Sequence, residues 1–128
     1  FIDADSTKGG IRPQNPEQWK WLKNNLNSSQ EDHIVLILPT PIFGPGGFTD
    51  QLEAELLHDI LVETSEKGKT IWVIHGGNST KIDLKDGIRY IQLNNRNIND
   101  PKNIKEINAI EFIVNGNNIT YQINPLFK

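Results

Sequence analysis

Two apolar runs constrain this chain more than any other feature: HIVLILPTP (His33 to Pro41) and TIWVIHGGNST (Thr70 to Thr80). Both are rich in β-branched residues, and both stop abruptly at Pro or Gly followed by polar residues. Such runs read as strands buried on both faces, as in a parallel sheet. In open α/β sheets ligands gather just beyond the strand C-termini. The loops after Leu38 and His75 are therefore where a functional surface is expected.

The flanking segments read as helices. Asn15 suits an N-cap, Pro16 the first helical position and Gln18 the return bond of a capping box. Trp19, Leu22 and Leu26 follow at helical spacing. A second start lies at Thr49 or Asp50, with Glu53 as the capping-box partner. Leu52, Leu56, Leu57, Ile60 and Leu61 form its predicted buried stripe, and Gly68 its C-terminal stop. Pro39 to Phe48 holds three prolines and three glycines in ten residues, so it is irregular. Beyond Gly77, Asp83, Lys85 and Asp86 read as a solvated turn, with Asp86-Gly87 leading into Ile88 to Leu93. Asn94 to Asn103 is a polar loop, and Asn115-Gly116 joins two alternating runs as a hairpin. The expected fold is a single α/β domain over residues 1–128: a layered, mostly parallel sheet with flanking helices, then antiparallel strands and a C-terminal hairpin.

Composition narrows the partners. A formal net charge of −3 argues against a phosphate-tracking nucleic-acid binder. No segment approaches the roughly 20 apolar residues of a membrane span. The absence of cysteine excludes thiol chemistry, disulfides and Cys-based zinc sites. Asn27, Asn78 and Asn118 each open a glycosylation sequon, read as chance matches in an Asn-rich chain. The chain opens directly in strand-like residues, as an excised piece of a longer protein would.

The order of signals is informative as a set. It runs through Phe1 to Ser6, Gly9-Gly10, Gln18-Trp19-Lys20-Trp21-Leu22, Leu38 to Pro41, Val73 to Ser79 and Asp86-Gly87-Ile88-Arg89-Tyr90-Ile91. Over about the first 95 residues this resembles the C-terminal half of a calcineurin-like metallophosphoesterase. The resemblance implies a two-metal phosphoesterase fold, but the departures fall on the chemistry. The histidine the family has two residues before Pro41 is Pro39, and its Gly-His-x-His histidines are Gly77 and Ser79. The family's D-x-H, G-D-x-x-D and G-N-H-D/E ligands have no counterpart here. Pro and Gly side chains offer no donor atom, and a Ser hydroxyl substitutes poorly for imidazole.

Each remaining candidate has a bland reading beside the chemical one. His75 sits at a strand end where ligands bind, although a backbone-bonded strand histidine is the simpler reading. His33 and His58 read as surface residues, and the three histidines lack metal-ligand spacing. Asp3 and Asp5 alternate on one strand face and can chelate a cation or simply close a turn. Gly44-Pro45-Gly46-Gly47 lacks the Lys-Ser/Thr of a phosphate loop; between Phe43 and Phe48 it reads as a specially turned loop or a partner-binding lip. Trp19 reads as core, Trp21 as a border or exposed residue, and Trp72 as packed between sheet and helix.

The expected function is a non-catalytic accessory or interaction domain of a larger protein, with no catalytic residue and no cofactor. Pro39, Thr40, Phe43, Phe48, His75, Gly77, Asn78 and Ser79 form its candidate ligand or partner surface. Its expected partners are the rest of its own polypeptide or another protein, with a homodimer through an exposed sheet edge as a further option. A cell-surface or secreted location is favoured over the cytoplasm. One alternative is an excised part of an active phosphodiesterase or phosphatase, binding Mn, Zn or Fe through Asp3, Asp5, His75 and Asp83. A second is a sugar- or peptide-binding module with an aromatic platform of Trp21, Phe43 and Phe48.

Overall fold

The computed structural model describes residues 2, 9–44, 46–77, 79–94, 108–116 and 118–125. The elements run α1 (Ile11–Gln14), α2 (Pro16–Ser28), β1 (His33–Leu38), α3 (Gln51–Glu66), β2 (Thr70–Gly77), β3 (Lys81–Lys85), β4 (Ile88–Asn94), β5 (Asn108–Asn115) and β6 (Asn118–Pro125). The fold is mixed α/β. A four-stranded sheet has the order β1-β2-β4-β3, and β5 and β6 form a separate antiparallel pair. β1, β2 and β4 are mutually parallel, with Leu36 opposite Val73 and Val73 opposite Tyr90. β3 joins antiparallel to β4.

Local chemistry sets the boundaries. The Asn15 side chain accepts from the Gln18 backbone N–H at 3.1 Å and caps α2. The return half of the predicted capping box is not made, because Gln18 Oε1 is buried without a partner. Asp50 caps α3 by accepting from the Leu52 N–H at 3.0 Å. Glu53 turns away from that cap to hold Arg12, whose Nε donates at 3.1 Å; this contact raises the Arg12 pKa. Gly10, at φ 121°, permits the approach of α1 to α3, since a Cβ there would lie 2.5 Å from that of Glu53. α3 stops at Gly68, which takes φ 90°. The β3–β4 connection is a two-residue turn with both residues left-handed, Asp86 at φ 52° and Gly87 at φ 84°. That is the Asp-Gly turn favoured in tight hairpins, because its twist matches that of the strands.

Burial explains the apolar run of β2. Ile71 and Val73 face α2 and α3 and join Trp19, Leu22, Leu57 and Leu61 in one cluster. Trp72 and Ile74 face the other way and join Ile91 in a second cluster, covered by Ile110, Phe112, Ile119, Tyr121 and Ile123 of the β5–β6 hairpin. The sheet therefore lies between a helical layer and a β-hairpin layer. At the β1 edge, the Ile2 N–H donates to the Ile37 carbonyl at 3.0 Å. Among the described residues, no helix is long and apolar enough to cross a membrane.

Four expectations are corrected. Trp72 packs under the hairpin, edge-on to Phe112 (5.5 Å) and Tyr121 (5.4 Å), and not between sheet and helix. Its place in the strand alternation sends it to the face opposite Val73. Asp83 and Lys85 belong to strand β3, and only Asp86-Gly87 forms the turn. β2 continues through Gly76 and ends at Gly77, two residues beyond the expected end at His75. On α3 the buried face is Glu53, Ala54, Leu57, His58, Leu61 and Thr64, while Leu52 is 75% exposed. The buried face is rotated from the predicted one toward the sheet, leaving Leu56 and Ile60 partly buried on its flank.

Trp72→Ala is expected to lower stability by about 3–5 kcal/mol, the cost of emptying a large aromatic site. Urea unfolding should show this, with Trp72→Phe retaining most of the stability.

Candidate functional site

The strand alternation brings one set of polar side chains to a single surface. His75 pairs with Gln92, and Gln92, Tyr90 and Ile88 pair with Lys81, Asp83 and Lys85. Paired residues of neighbouring strands share a face, so these side chains lie on the helix side of the sheet. α3 covers the part nearest its own axis. Beyond it, the Pro41–Gly44 segment overhangs the sheet and leaves a cleft of about 330 Å³, at the lower end of small-ligand sites. Its floor is His75 and Tyr90, and its outer wall is β3.

The overhang is a closed turn. The Gly47 N–H donates to the Gly44 carbonyl at 3.0 Å, and the Phe48 N–H to the Ile42 carbonyl at 3.2 Å. Gly44 and Gly46 take φ of 84° and 80°, a conformation glycine adopts without a steric cost. Ile42 and Phe48 are buried beneath it. Phe43 lines the cleft, where Lys85 Nζ lies 3.6 Å from its ring centroid.

Behind the floor, His58 links helix and hairpin. Its Nδ1 lies 2.6 Å from Tyr90 Oη and its Nε2 lies 2.7 Å from Asp86 Oδ2. The arrangement that satisfies every atom has the Tyr90 hydroxyl donating to Nδ1 and the Nε2–H donating to the carboxylate. Burial, reinforced by the negative Asp86, raises the Tyr90 pKa. The phenol is thus held protonated as a donor and is poorly suited to act as a nucleophile. His75 is buried, its Nδ1 3.2 Å from the Gly76 carbonyl. Desolvation lowers its pKa, opposed by that backbone bond and by Asp83. The cleft floor is therefore uncharged near neutral pH, and its formal charges lie on the β3 wall.

Gln92 decides what happens at the end of β2. Its Nε2 donates to the Ser79 carbonyl at 2.7 Å, so its side chain crosses directly over Gly77. A Cβ built at Gly77 would lie 2.5 Å from Gln92 Nε2 and 2.6 Å from Oε1, distances real atoms do not adopt. The absence of a side chain at Gly77 thus makes room for the amide that ties down the following turn.

The expected site residues divide accordingly. Phe43, His75 and Asp83 line one cleft, while Pro39 and Thr40 are half-buried just beyond β1. Gly77 and Ser79 flank the cleft through Gln92. Phe48 is 4% exposed and forms no lip. The three-aromatic platform is not assembled: Trp21 borders a separate groove with Ile34 and Val35 at the opposite sheet edge. His58, expected at the surface, is 5% exposed, and His33 is half-buried. Asp3, Asp5 and Asn78 lie outside the described residues. Among the described residues, no three His, Cys, Asp or Glu side chains converge to hold a metal ion. Sequence reasoning overlooked Tyr90, Gln92 and Lys81. The alternation of Ile88 to Gln92 places Tyr90 and Gln92 on one face, and His58 stands four residues after Ala54 and three before Leu61. Both were readable signals. No family model, curated protein or solved structure matches the chain.

Two measurements follow. A histidine whose folded pKa lies below its usual 6.5 takes up protons more readily once unfolded. Stability from His75 is thus full above about pH 6.5 and falls as the pH drops toward the folded pKa. Urea midpoints taken between pH 5 and 8 should decline on acidification, with a shallower decline in His75→Gln. Gly77→Ala should cost about 1 kcal/mol by displacing the Gln92 amide from Ser79. In a Gln92→Ala background it should cost almost nothing more, a non-additivity that a double-mutant cycle reads directly.

Proposed function

We propose that this chain is a non-catalytic accessory or interaction domain of a larger protein. In this reading it is built like the mostly parallel C-terminal half of a metallophosphoesterase and offers the cleft beneath Pro41–Gly44 to a ligand or protein partner. The observation that carries the proposal is the Gln92 carboxamide lying across Gly77. In the resemblance, that position supplies a metal-binding imidazole; here the space is filled by a neutral amide engaged with the Ser79 backbone. Pro39 likewise stands where the family has a second imidazole. Two-metal hydrolysis needs both ions held by anionic or imidazole ligands, and among the described residues this corner offers His75, turned to the Gly76 carbonyl, and Asp83 on the cleft wall, with no third ligand converging on them. The net charge of −3 supports a protein or small-molecule partner over nucleic acid.

The catalytic alternative draws on His75 and Asp83, which share the cleft. The two readings separate in one experiment. The protein is titrated calorimetrically with Mn²⁺ and with Zn²⁺, then assayed against bis-p-nitrophenyl phosphate at saturating metal. The expected result is no stoichiometric uptake and no turnover above buffer. Saturable uptake with turnover that His75→Ala abolishes would replace the accessory-domain reading with an enzymatic one.

A further inference from the structure

β3 has chemistry that neither the core nor the cleft uses. It is the edge of its sheet: β4 pairs with one side, and among the described residues no strand pairs with the other. The five residues of β3 are all exposed, including two large apolar ones, Ile82 at 54% and Leu84 at 73%. Soluble proteins ordinarily blunt such an edge with charge, proline or a bulge. Here the charges are confined to one face. Lys81, Asp83 and Lys85 point to the helix side. Ile82 and Leu84 point to the hairpin side, where they continue an apolar groove floored by Trp72 and Ile91 and flanked by Tyr121.

The hydrogen-bond phase of the edge follows from the turn. In a two-residue hairpin the flanking pair, Lys85 and Ile88, exchanges both backbone bonds, and the exchange alternates along the ladder. Lys81, Asp83 and Lys85 therefore bond inward to β4. The backbone groups of Ile82 and Leu84 point outward, ready to accept another strand.

We infer that β3 pairs with β3 of a second copy of this chain, antiparallel about a two-fold axis through Ile82. The charge order of Lys81-Ile82-Asp83-Leu84-Lys85 selects both the occupant and the register. With the axis through Ile82, Lys81 faces Asp83 of the other copy, Asp83 faces the other Lys81, and Ile82 faces its own equivalent. The outward-pointing Ile82 groups then form a closed hydrogen-bonded pair. Moving the axis to Asp83 sets Asp83 against Asp83 and Lys81 against Lys85, like charges directly opposite. Moving it to Leu84 runs Ile82 and Lys81 against the left-handed Asp86-Gly87 turn, and it relies on Lys85, already over the Phe43 ring. The Ile82 register uses Thr80 to Leu84 and leaves Lys85 where it is. Such an isologous contact joins two four-stranded sheets into one. The contact rests on a strand of five residues per copy, so the association is reversible and concentration-dependent. The inference does not depend on the accessory-domain reading, because it uses no atom of the β2 strand end.

Charge exchange tests it. Sedimentation velocity from micromolar to submillimolar protein should show a monomer–dimer equilibrium for the wild type. Lys81→Asp and Asp83→Lys, each of which places like charges opposite one another twice per dimer, should each weaken association by roughly tenfold. The double variant Lys81→Asp/Asp83→Lys restores opposite charges and should recover wild-type association. Ile82→Lys sets lysine against lysine at the axis and should leave a monomer. Circular dichroism and thermal midpoints of all four variants should match the wild type, as expected for exposed positions. A wild type that stays monomeric throughout overturns the inference. So does a dimer indifferent to Lys81→Asp, or a double variant no better than Asp83→Lys; these outcomes point to the Leu84 register, to another edge, or to a heterologous strand partner.

Discussion

The two-sided burial of β2 is the constraint on which the rest of the molecule depends. Ile71 and Val73 are sealed against α2 and α3, while Trp72 and Ile74 are sealed against the β5–β6 hairpin. A strand buried on both faces cannot slip by one residue without exchanging its two apolar sets between differently shaped environments. That fixes the register of β1 and β4 against it. The phase of His75 and Gly77 follows, and with it the direction in which Gln92 and Tyr90 project. The cleft is a consequence of where the helical layer stops covering a sheet whose register was set elsewhere.

Around that cleft, polar groups are organised to hold shape. Tyr90, His58 and Asp86 link β4, α3 and the hairpin turn through two short hydrogen bonds. A buried histidine left without such partners would cost on the order of 1–3 kcal/mol per unsatisfied group. Gln92 performs a similar task for the turn after β2, and Arg12–Glu53 ties α1 to the start of α3. These contacts give the polar residues framing the cleft a structural role in holding its shape.

Much of the architecture is legible in the amino-acid sequence. Asn15 and Asp50 act as caps, Gly68 stops α3, Asp86-Gly87 makes the tight turn, and the runs around Asn115-Gly116 pair as a hairpin. Local backbone preferences dictate each of these. The failures concern which way a side chain faces. The predicted stripe on α3 ranked leucines by hydropathy and included Leu52, whereas helix geometry buries Ala54 and His58 alongside Leu57 and Leu61. Trp72 reads as a residue of the helical face because nothing in its own strand announces that the β5–β6 hairpin covers the opposite one. Asp83, Lys85 and Asp86 look like a solvated turn, since an edge strand with five exposed residues carries no burial pattern.

The amino-acid sequence by itself determined α2 and α3 with their caps, the Asp86-Gly87 turn, the C-terminal hairpin and the parallel character of β1 and β2. Capping, turn chemistry and unbroken apolar runs are local properties, written within a few residues of where they act. Only the tertiary structure decided the site. The His58 bridge and the filling of the space over Gly77 by Gln92 each depend on residues brought together from separate elements of the chain. No spacing rule records such meetings, because they follow from how layers and registers assemble in three dimensions.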